Sequence, residues 1–366
     1  MKLVIFGLTI SSSWANGHAT LWRGLCRSLG KLGHRVVFYE RDVPYYASAR
    51  DFDQLEQGEL VLYPDWESIR HRTKRDVAEA DVAMVTSYCP DALTATNIVV
   101  ESSRLSVFYD LDTPITLMRL RRGEAVEYVG SAGLSSFDLV LSYTGGPALD
   151  ELRSRLGARR VAPLYGHVDP DVHRPADAVR HYRADLSYLG TYAADRQAAL
   201  ETLLIKPARL RPRQRFLMGG AQYPAEFPWS SNIYFVRHLP PSEHPAFFSS
   251  SRMTLNVTRR EMAGMGWCPS GRLFEAAACG TPVLSDDWGG LDRFFSPGRE
   301  ILVAHGTGEA VAALDLSDAE IRRIGKAARD RALTDHTSRH RAAVLLDILS
   351  RASTDAGARK FEGVEA

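Results

Sequence analysis

Pro269-Ser270-Gly271-Arg272-Leu273-Phe274-Glu275-Ala276-Ala277-Ala278-Cys279-Gly280-Thr281-Pro282-Val283 is the stretch on which the reading of this chain turns. It predicts a helix over 270–279, because Pro269 suits a first-turn boundary and Gly280 followed by Pro282 suits a sharp stop. Met253-Thr254-Leu255-Asn256-Val257 upstream reads as a strand, and a loop rich in Gly, Met and Arg separates the two. A helix that starts after a strand presents free N–H groups and the positive end of its dipole to an anion. Ser270 adds a hydroxyl there, and Arg272 adds a planar fork suited to phosphate oxygens. Glu275 lies on the same face three residues on. A carboxylate does not bind phosphate, but it accepts hydrogen bonds from a sugar diol. A diphosphate joined to a ribose satisfies all of these groups; a solvent-exposed Arg272–Glu275 ion pair satisfies two of them equally well.

Working outward, two more loops have the same character. Leu189-Gly190-Thr191 follows a strand at 186–189 and precedes a helix at 193–204 that carries Arg196 in its first turns. Gly219-Gly220 closes a strand at 215–218. Glycine permits close approach of a ligand, and it also simply forms turns. Three such loops in one half of the chain fit a nucleotide cleft at the carboxyl ends of parallel strands. Further strands are expected at 233–236 and 283–285. No G-x-G-x-x-G follows the first strand of either half and no Walker A pattern is present, which disfavours a dinucleotide dehydrogenase and a P-loop enzyme.

The first half alternates in the same way. A strand at 2–8 is followed by a loop at 9–17, then by apolar residues at Leu21, Trp22, Leu25, Cys26, Leu29 and Leu32 on one helical face. Gly33 stands at the C-cap, and 36–39 is the next strand. Strand-like runs recur at 82–85, 105–109 and 139–142. Such β-loop-α-β units imply a parallel sheet with right-handed crossovers. A stretch at 161–175 with three prolines reads as a linker. The expected organisation is therefore two doubly wound α/β domains, 1–168 and 169–350, and a polar tail at 351–366 that frays.

Composition narrows the function classes. At 366 residues the chain is about twice the size of one domain. Lys+Arg 45 against Asp+Glu 44 leaves a net charge of +1, which gives no electrostatic footprint for nucleic acid. The longest apolar runs are strand-sized, so no stable membrane insertion is expected. The N-terminus reads as a first strand rather than a signal peptide, and a cytoplasmic location follows as an expectation. Cys26, Cys89, Cys268 and Cys279 have no C-x-x-C spacing, which excludes a zinc ribbon and a disulfide scaffold.

In the second half the sequence resembles the GT-B glycosyltransferases, in the branch related to spore maturation protein CgeB. The resemblance is carried by 269–283, by Trp288-Gly289-Gly290-Leu291, by Pro297-Gly298-Arg299-Glu300-Ile301-Leu302, and by His336-Thr337 followed by Arg341-Ala342. Val168-Asp169-Pro170 up to Arg174-Pro175 looks like that family's hinge; the first half matches more loosely. The resemblance implies two Rossmann-like domains facing across a cleft, with a nucleotide-sugar donor on the C-terminal one and an acceptor on the N-terminal one. Glu275 would then contact the ribose, with Ser270, Gly271 and Arg272 at the diphosphate. Gly190, Thr191 and Arg196 would form the facing phosphate loop, beside Gly219 and Gly220. The base would lie near His238 and Leu239. Many relatives carry a second Glu eight residues before the ribose Glu; here Trp267 stands there, so sugar recognition differs or uses Arg259, Arg260 or Glu261.

Catalytic candidates come from the first half. Asp110-Leu111-Asp112 after the strand at 105–109 matches the D-x-D metal motif of the other glycosyltransferase fold, but the surrounding chain does not. Asp110 or Asp112 is read as an acceptor-binding group or general base, or Asp112 as the cap of a helix starting at Thr113-Pro114. His18, in the first β-to-α loop, has the chemistry to deprotonate an acceptor hydroxyl, or to serve as a loop or capping residue. Asn16 and Gly17 either bind the acceptor or shape the turn. Trp22 lies on the apolar stripe and is read as core. The expected activity is metal-independent glycosyl transfer without a cofactor, retaining configuration, onto a small-molecule, glycan or natural-product acceptor. The alternative is a non-catalytic nucleotide-sugar-binding or regulatory protein with a degenerate site.

Overall fold

A computed structural model describes residues 1–362, and the chain divides into two units. The first comprises Met1–Tyr165 with the chain from Ser338 onward; the second is Gly166–Thr337.

In the first unit the strands are β1 (Lys2–Gly7), β2 (Arg35–Arg41), β3 (Gly58–Tyr63), β4 (Val82–Thr86), β5 (Ser106–Asp110), β6 (Leu139–Ser142) and β7 (Val161–Pro163). They form one parallel sheet in the order β3-β2-β1-β4-β5-β6-β7. The connecting helices are α1 (His18–Lys31), α2 (Pro44–Ala47), α3 (Trp66–Ala78), α4 (Ala92–Ser102), α5 (Thr113–Arg121) and α6 (Pro147–Leu156). The chain leaves β1 toward β2 and leaves β4 toward β5, so the winding reverses between β1 and β4, where such sheets open a crevice. Central strands are covered on both faces, and accordingly β1, β4 and β5 are almost unbroken apolar runs. Val4, Phe6, Val37, Tyr39, Val85 and Phe108 make the core of one face. Trp22 is core as expected, edge-on to Phe38 and Tyr109.

The second unit repeats the plan. Its strands are β8 (Leu186–Leu189), β9 (Phe216–Gly220), β10 (Ile233–Arg237), β11 (Thr254–Asn256), β12 (Val283–Ser285) and β13 (Leu302–Val303). All pair in parallel, in the order β10-β9-β8-β11-β12-β13, with the reversal between β8 and β11. Its helices are α7 (Gln197–Leu200), α8 (Lys206–Leu210), α9 (His244–Ser249), α10 (Arg260–Met265), α11 (Gly271–Ala278), α12 (Thr307–Leu314) and α13 (Asp318–Asp335). The helix expected at 193–204 is broken into a 3₁₀ turn, α7, a π-turn at Glu201–Ile205 and α8. Pro207, which has no N–H to give the preceding turn, accounts for that wider turn. The loop expected before α11 contains α10, which has no buried residue.

The C-terminal boundary differs from the sequence reading. The expected domain 169–350 ends instead at Thr337, and α14 (Ser338–Glu362) belongs to the first unit, packed on α1. Ala342, Leu345, Leu349 and Ala352 are its buried stripe, and Arg160 donates to the Ala352 carbonyl at 3.0 Å. The expected frayed tail at 351–366 is thus helical as far as Glu362, and 363–366 lie outside the described residues. The chain enters and leaves the second unit side by side: Val168 N–H donates to His336 O at 2.9 Å. Among the described residues no helix is long and apolar enough to cross a membrane.

Candidate functional site

In the second unit the predicted donor residues gather at the carboxyl ends of β8, β9 and β11. Ser270 takes extended backbone angles before α11 and makes no side-chain cap, so the first-turn N–H groups of α11 have no hydroxyl partner from it. Arg272, in that first turn, reaches back across the reversal between β8 and β11. Its Nη1 donates to Asn256 Oδ1 at 3.2 Å, and its guanidinium lies over the Tyr188 ring, 5.0 Å from the centroid. A Cβ at Gly190 would stand 2.7 Å from Arg272 Nη2 and 2.9 Å from the Tyr188 hydroxyl. Only glycine leaves that fork open. Arg272 Nε is buried without a hydrogen-bond partner, and burial draws the guanidinium's pKa down. A desolvated cation of this kind is stabilised by an anion.

Asn256 is itself held by a polar network. Its Nδ2 donates to Ser285 Oγ at 3.0 Å, and Asp286 accepts from both Thr258 N and Thr258 Oγ1 at 2.9 Å. Burial raises the Asp286 carboxyl above its ordinary value. Facing this network, Arg196 Nη1 donates to Thr191 O at 3.1 Å while its Nε is buried unpartnered. Gly219 and Gly220 are buried beside Gly190, whose N–H donates to Gly219 O at 2.9 Å. Gly271 is the first residue of α11. Arg259 is paired to Asp195 at 3.0 Å. His238 takes a positive φ of 49° and donates its N–H to Gly220 O, while Leu239 is buried. Trp267 also has a positive φ, 45°, and its ring fills the space a Cβ on Gly290 would need.

Glu275 points to a neighbourhood that its sequence context does not reveal. His173 Nε2 lies 3.7 Å from Oε1 and His244 Nδ1 lies 3.7 Å from Oε2. The two imidazoles approach each other at 3.4 Å, and His244 Nε2 donates to Leu239 O at 3.3 Å. Burial pushes the His244 imidazole down to about 4. Among the described residues these three form the group whose ligand atoms, all within 4.8 Å of one another, have metal-ligand spacing.

In the first unit the expected catalytic residues also meet at strand ends. His18 is the first residue of α1, edge-on to Tyr143 with ring centroids 5.7 Å apart, and its Nδ1 is buried without a partner. Burial lowers its pKa, against the raising effect of the Asp112 charge. Asp112 precedes α5 without capping it by a side-chain bond; its Oδ2 accepts from the Tyr88 hydroxyl at 3.0 Å. Tyr88 is one of five non-glycine residues with positive φ among the described residues. Asp110 is fully buried, accepting from Asp112 N–H and Thr116 Oγ1 at 3.1 Å, and burial pushes its carboxyl up to about 6. Asn16 spends its amide on the turn: Nδ2 donates to Thr9 O at 3.1 Å and Oδ1 accepts from His18 N–H. Gly17 is exposed, with open space where a Cβ would be. That loop is anchored by Glu40, fully buried, which accepts from Thr9, Ile10 and Ser11.

Sequence reasoning overlooked Tyr188, Asn256, Thr258, Asp286, His173 and His244. Asn256 carried a signal, a polar residue at the end of an apolar strand. Thr258 follows it two residues on, and the others come from distant segments and meet only in the fold.

Comparison with known proteins agrees with this architecture. Residues 196–347 match a family model described as Glycosyl transferase-like. No curated protein matches the chain. Among solved structures, sucrose-phosphate synthase from Thermosynechococcus elongatus aligns with a TM-score of 0.70 at 14% identity, covering 96% of this chain and 98% of that one. HepE of Anabaena, in complex with UDP-glucose, aligns at 0.67 and 12% identity, covering 96% and 100%. An alpha-glucosyltransferase in complex with UDP-glucose and DNA containing an abasic site aligns at 0.71 and 13% identity, covering 96% and 99%. The chain has the GT-B fold, two Rossmann-like α/β units, and the residues that match the Glycosyl transferase-like model span most of the second unit and the start of α14.

Proposed function

We propose that this protein is a glycosyltransferase of the CgeB-like branch that takes a hexose from a nucleoside-diphosphate sugar and places it on an acceptor hydroxyl. The observation that carries the reading is the Arg272 fork: a desolvated cation across the β8–β11 reversal, fronted by a glycine whose Cβ would crowd the guanidinium. The diphosphate is assigned to Arg272, Arg196 and the α11 N-terminus, and the ribose to Glu275. As the glycosidic bond breaks, negative charge grows on the departing diphosphate, and preformed cations and N–H dipoles stabilise it without reorganisation. No metal or cofactor is needed for that role. Complexes of the structural neighbours with UDP-glucose make a uridine nucleotide the first to test.

The acceptor is assigned to the first unit, with His18 as the group that takes the hydroxyl proton. The near-neutral charge favours a small molecule or glycan over nucleic acid. Retention of configuration rests on the family resemblance. A cytoplasmic location fits a pool of soluble nucleotide sugar.

The test is a thermal-shift panel of UDP, GDP, ADP, dTDP and CMP, followed by release of nucleotide from the matching sugar donor with acceptors added. A ligand at ~100 times its dissociation constant stabilises the fold by about 2.7 kcal/mol. Silence across the panel at millimolar ligand overturns the reading. Binding without turnover on any acceptor favours the non-catalytic alternative.

A further inference from the structure

Glu275 sits between two imidazoles that a ribose site does not require. His173 comes from the segment entering the second unit, His244 from the start of α9, and Glu275 from α11. Their facing atoms are Nε2, Nδ1 and the two carboxylate oxygens, at separations of 3.4, 3.7 and 3.7 Å. A tetrahedral ion with arms of ~2.1 Å holds its ligand atoms about 3.4 Å apart. The His244 ring is already fixed for this by its Nε2–H bond to Leu239 O, the outer-shell tie that leaves Nδ1 facing inward. His173 is buried at 2% exposure, with its Nδ1 unpartnered, so the ring can carry its proton there and present Nε2.

We propose that His173, His244 and Glu275 form a binding site for a divalent transition-metal ion of the zinc class, and that the ion competes with the donor nucleotide for Glu275. The two-imidazole, one-carboxylate set suits zinc, cobalt, nickel or copper and not magnesium or calcium, which take oxygen ligands. The Arg272 charge nearby opposes any cation, which restricts the site further to ions that bond strongly to imidazole. The competition rests on the donor reading given above, because a carboxylate bound to an ion no longer accepts from a ribose diol. The ion is then an inhibitor, and chelation activates the enzyme.

The test is titration of chelator-treated full-length protein with Co²⁺, read by its visible d–d absorption, with Zn²⁺ as displacer. One ion per chain with tetrahedral bands is expected, and binding should weaken at least about tenfold in His244→Ala, His173→Gln and Glu275→Gln. The exposed His305→Ala should bind as wild type. Thermal melts of each variant separate lost ligands from lost folding, and Glu275→Gln keeps the side chain's shape. Absence of bands, or bands unchanged in all three folded variants, overturns the site. Saturating UDP should raise the apparent Co²⁺ dissociation constant about tenfold; if both bind and UDP has no effect, the competition is overturned and the ion site stands. If UDP does not bind at all, the donor reading fails and takes the competition with it, while the Co²⁺ bands judge the ion site alone.

Discussion

Arg272, in the first turn of α11, donates to Asn256 at the end of β11, and this 3.2 Å bond ties the helix that would hold a phosphate to the strand beside the sheet's reversal. Hydrogen bonds to charged groups contribute about 1.5–3 kcal/mol each. Arg272→Ala should therefore weaken UDP binding by about 10- to 100-fold in calorimetry. Arg272→Lys keeps the charge and loses the fork, so it should not restore more than part of the loss. Asn256→Ala should cost about tenfold by leaving the fork unsupported. Wild-type affinity in all three would remove the phosphate from this position.

Two neighbouring glycines should fail in different ways. At Gly190 an added Cβ meets the movable end of Arg272, so Gly190→Ala should fold normally and lose nucleotide binding. At Gly220 it meets the Gly190 carbonyl oxygen at 2.0 Å, with φ at +147°. That clash is with backbone, and Gly220→Ala should destabilise the fold by about 2–3 kcal/mol. Urea melts and UDP titrations of both variants check the contrast; a destabilised Gly190→Ala with normal affinity would contradict it.

How far the sequence speaks depends on what each residue answers to. Strands covered on both faces, such as β6, β8 and β12, are buried along their whole length and mostly apolar, and their ends are legible to the residue. The α11 helix is legible because Pro269 and Gly280-Thr281-Pro282 punctuate it. The edge strand β3 has mostly half-buried residues, so its pattern is weak, and two-residue β13 has none. The α14 helix depends on α1, over 300 residues earlier, and its charged surface reads as a tail. The same limit applies at the site. Gly190, Arg196, Ser270, Arg272 and Glu275 announce an anion and a diol through local spacing. The partners Tyr188, His173 and His244 are fixed by tertiary packing, which no local pattern encodes.

Asp110 links the first unit's stability to pH. Its carboxyl is raised by burial to about 6, against an unfolded value of ~3.9. A raised folded-state pKa means the proton is held more tightly when folded. Its stabilising effect is full below about pH 4 and is lost as pH rises through about 6, a change of roughly 3 kcal/mol. Asp110→Asn cannot ionise and keeps an oxygen for Thr116 and the Asp112 N–H. Relative to wild type it should gain stability between pH 4 and 7 by about that amount, read from urea midpoints at a series of pH values. A constant difference across the range would show that the carboxyl ionises at its ordinary pKa.

His18 is where chemistry and local structure are most sharply separable. Burial draws its pKa below the ordinary imidazole range, and the Asp112 charge only partly restores it. The ring is therefore neutral at pH 7 with a lone pair available, as a base must be. Its unpartnered Nδ1 makes no contact that a purely structural histidine would need. Substitution by Gln keeps hydrogen-bonding capacity and volume but removes the basic nitrogen. General-base catalysis contributes typically ~10²–10⁴-fold, so His18→Gln should lower kcat by about that factor. Nucleotide affinity should be unchanged, because the groups assigned to the donor all lie in the second unit. The acidic limb of the wild-type rate profile should fall below pH 6.5 and vanish in the variant. A His18→Gln enzyme with wild-type kcat and an unaltered acidic limb would leave the proton to the departing phosphate itself, and with it a mechanism in which this unit only positions the acceptor.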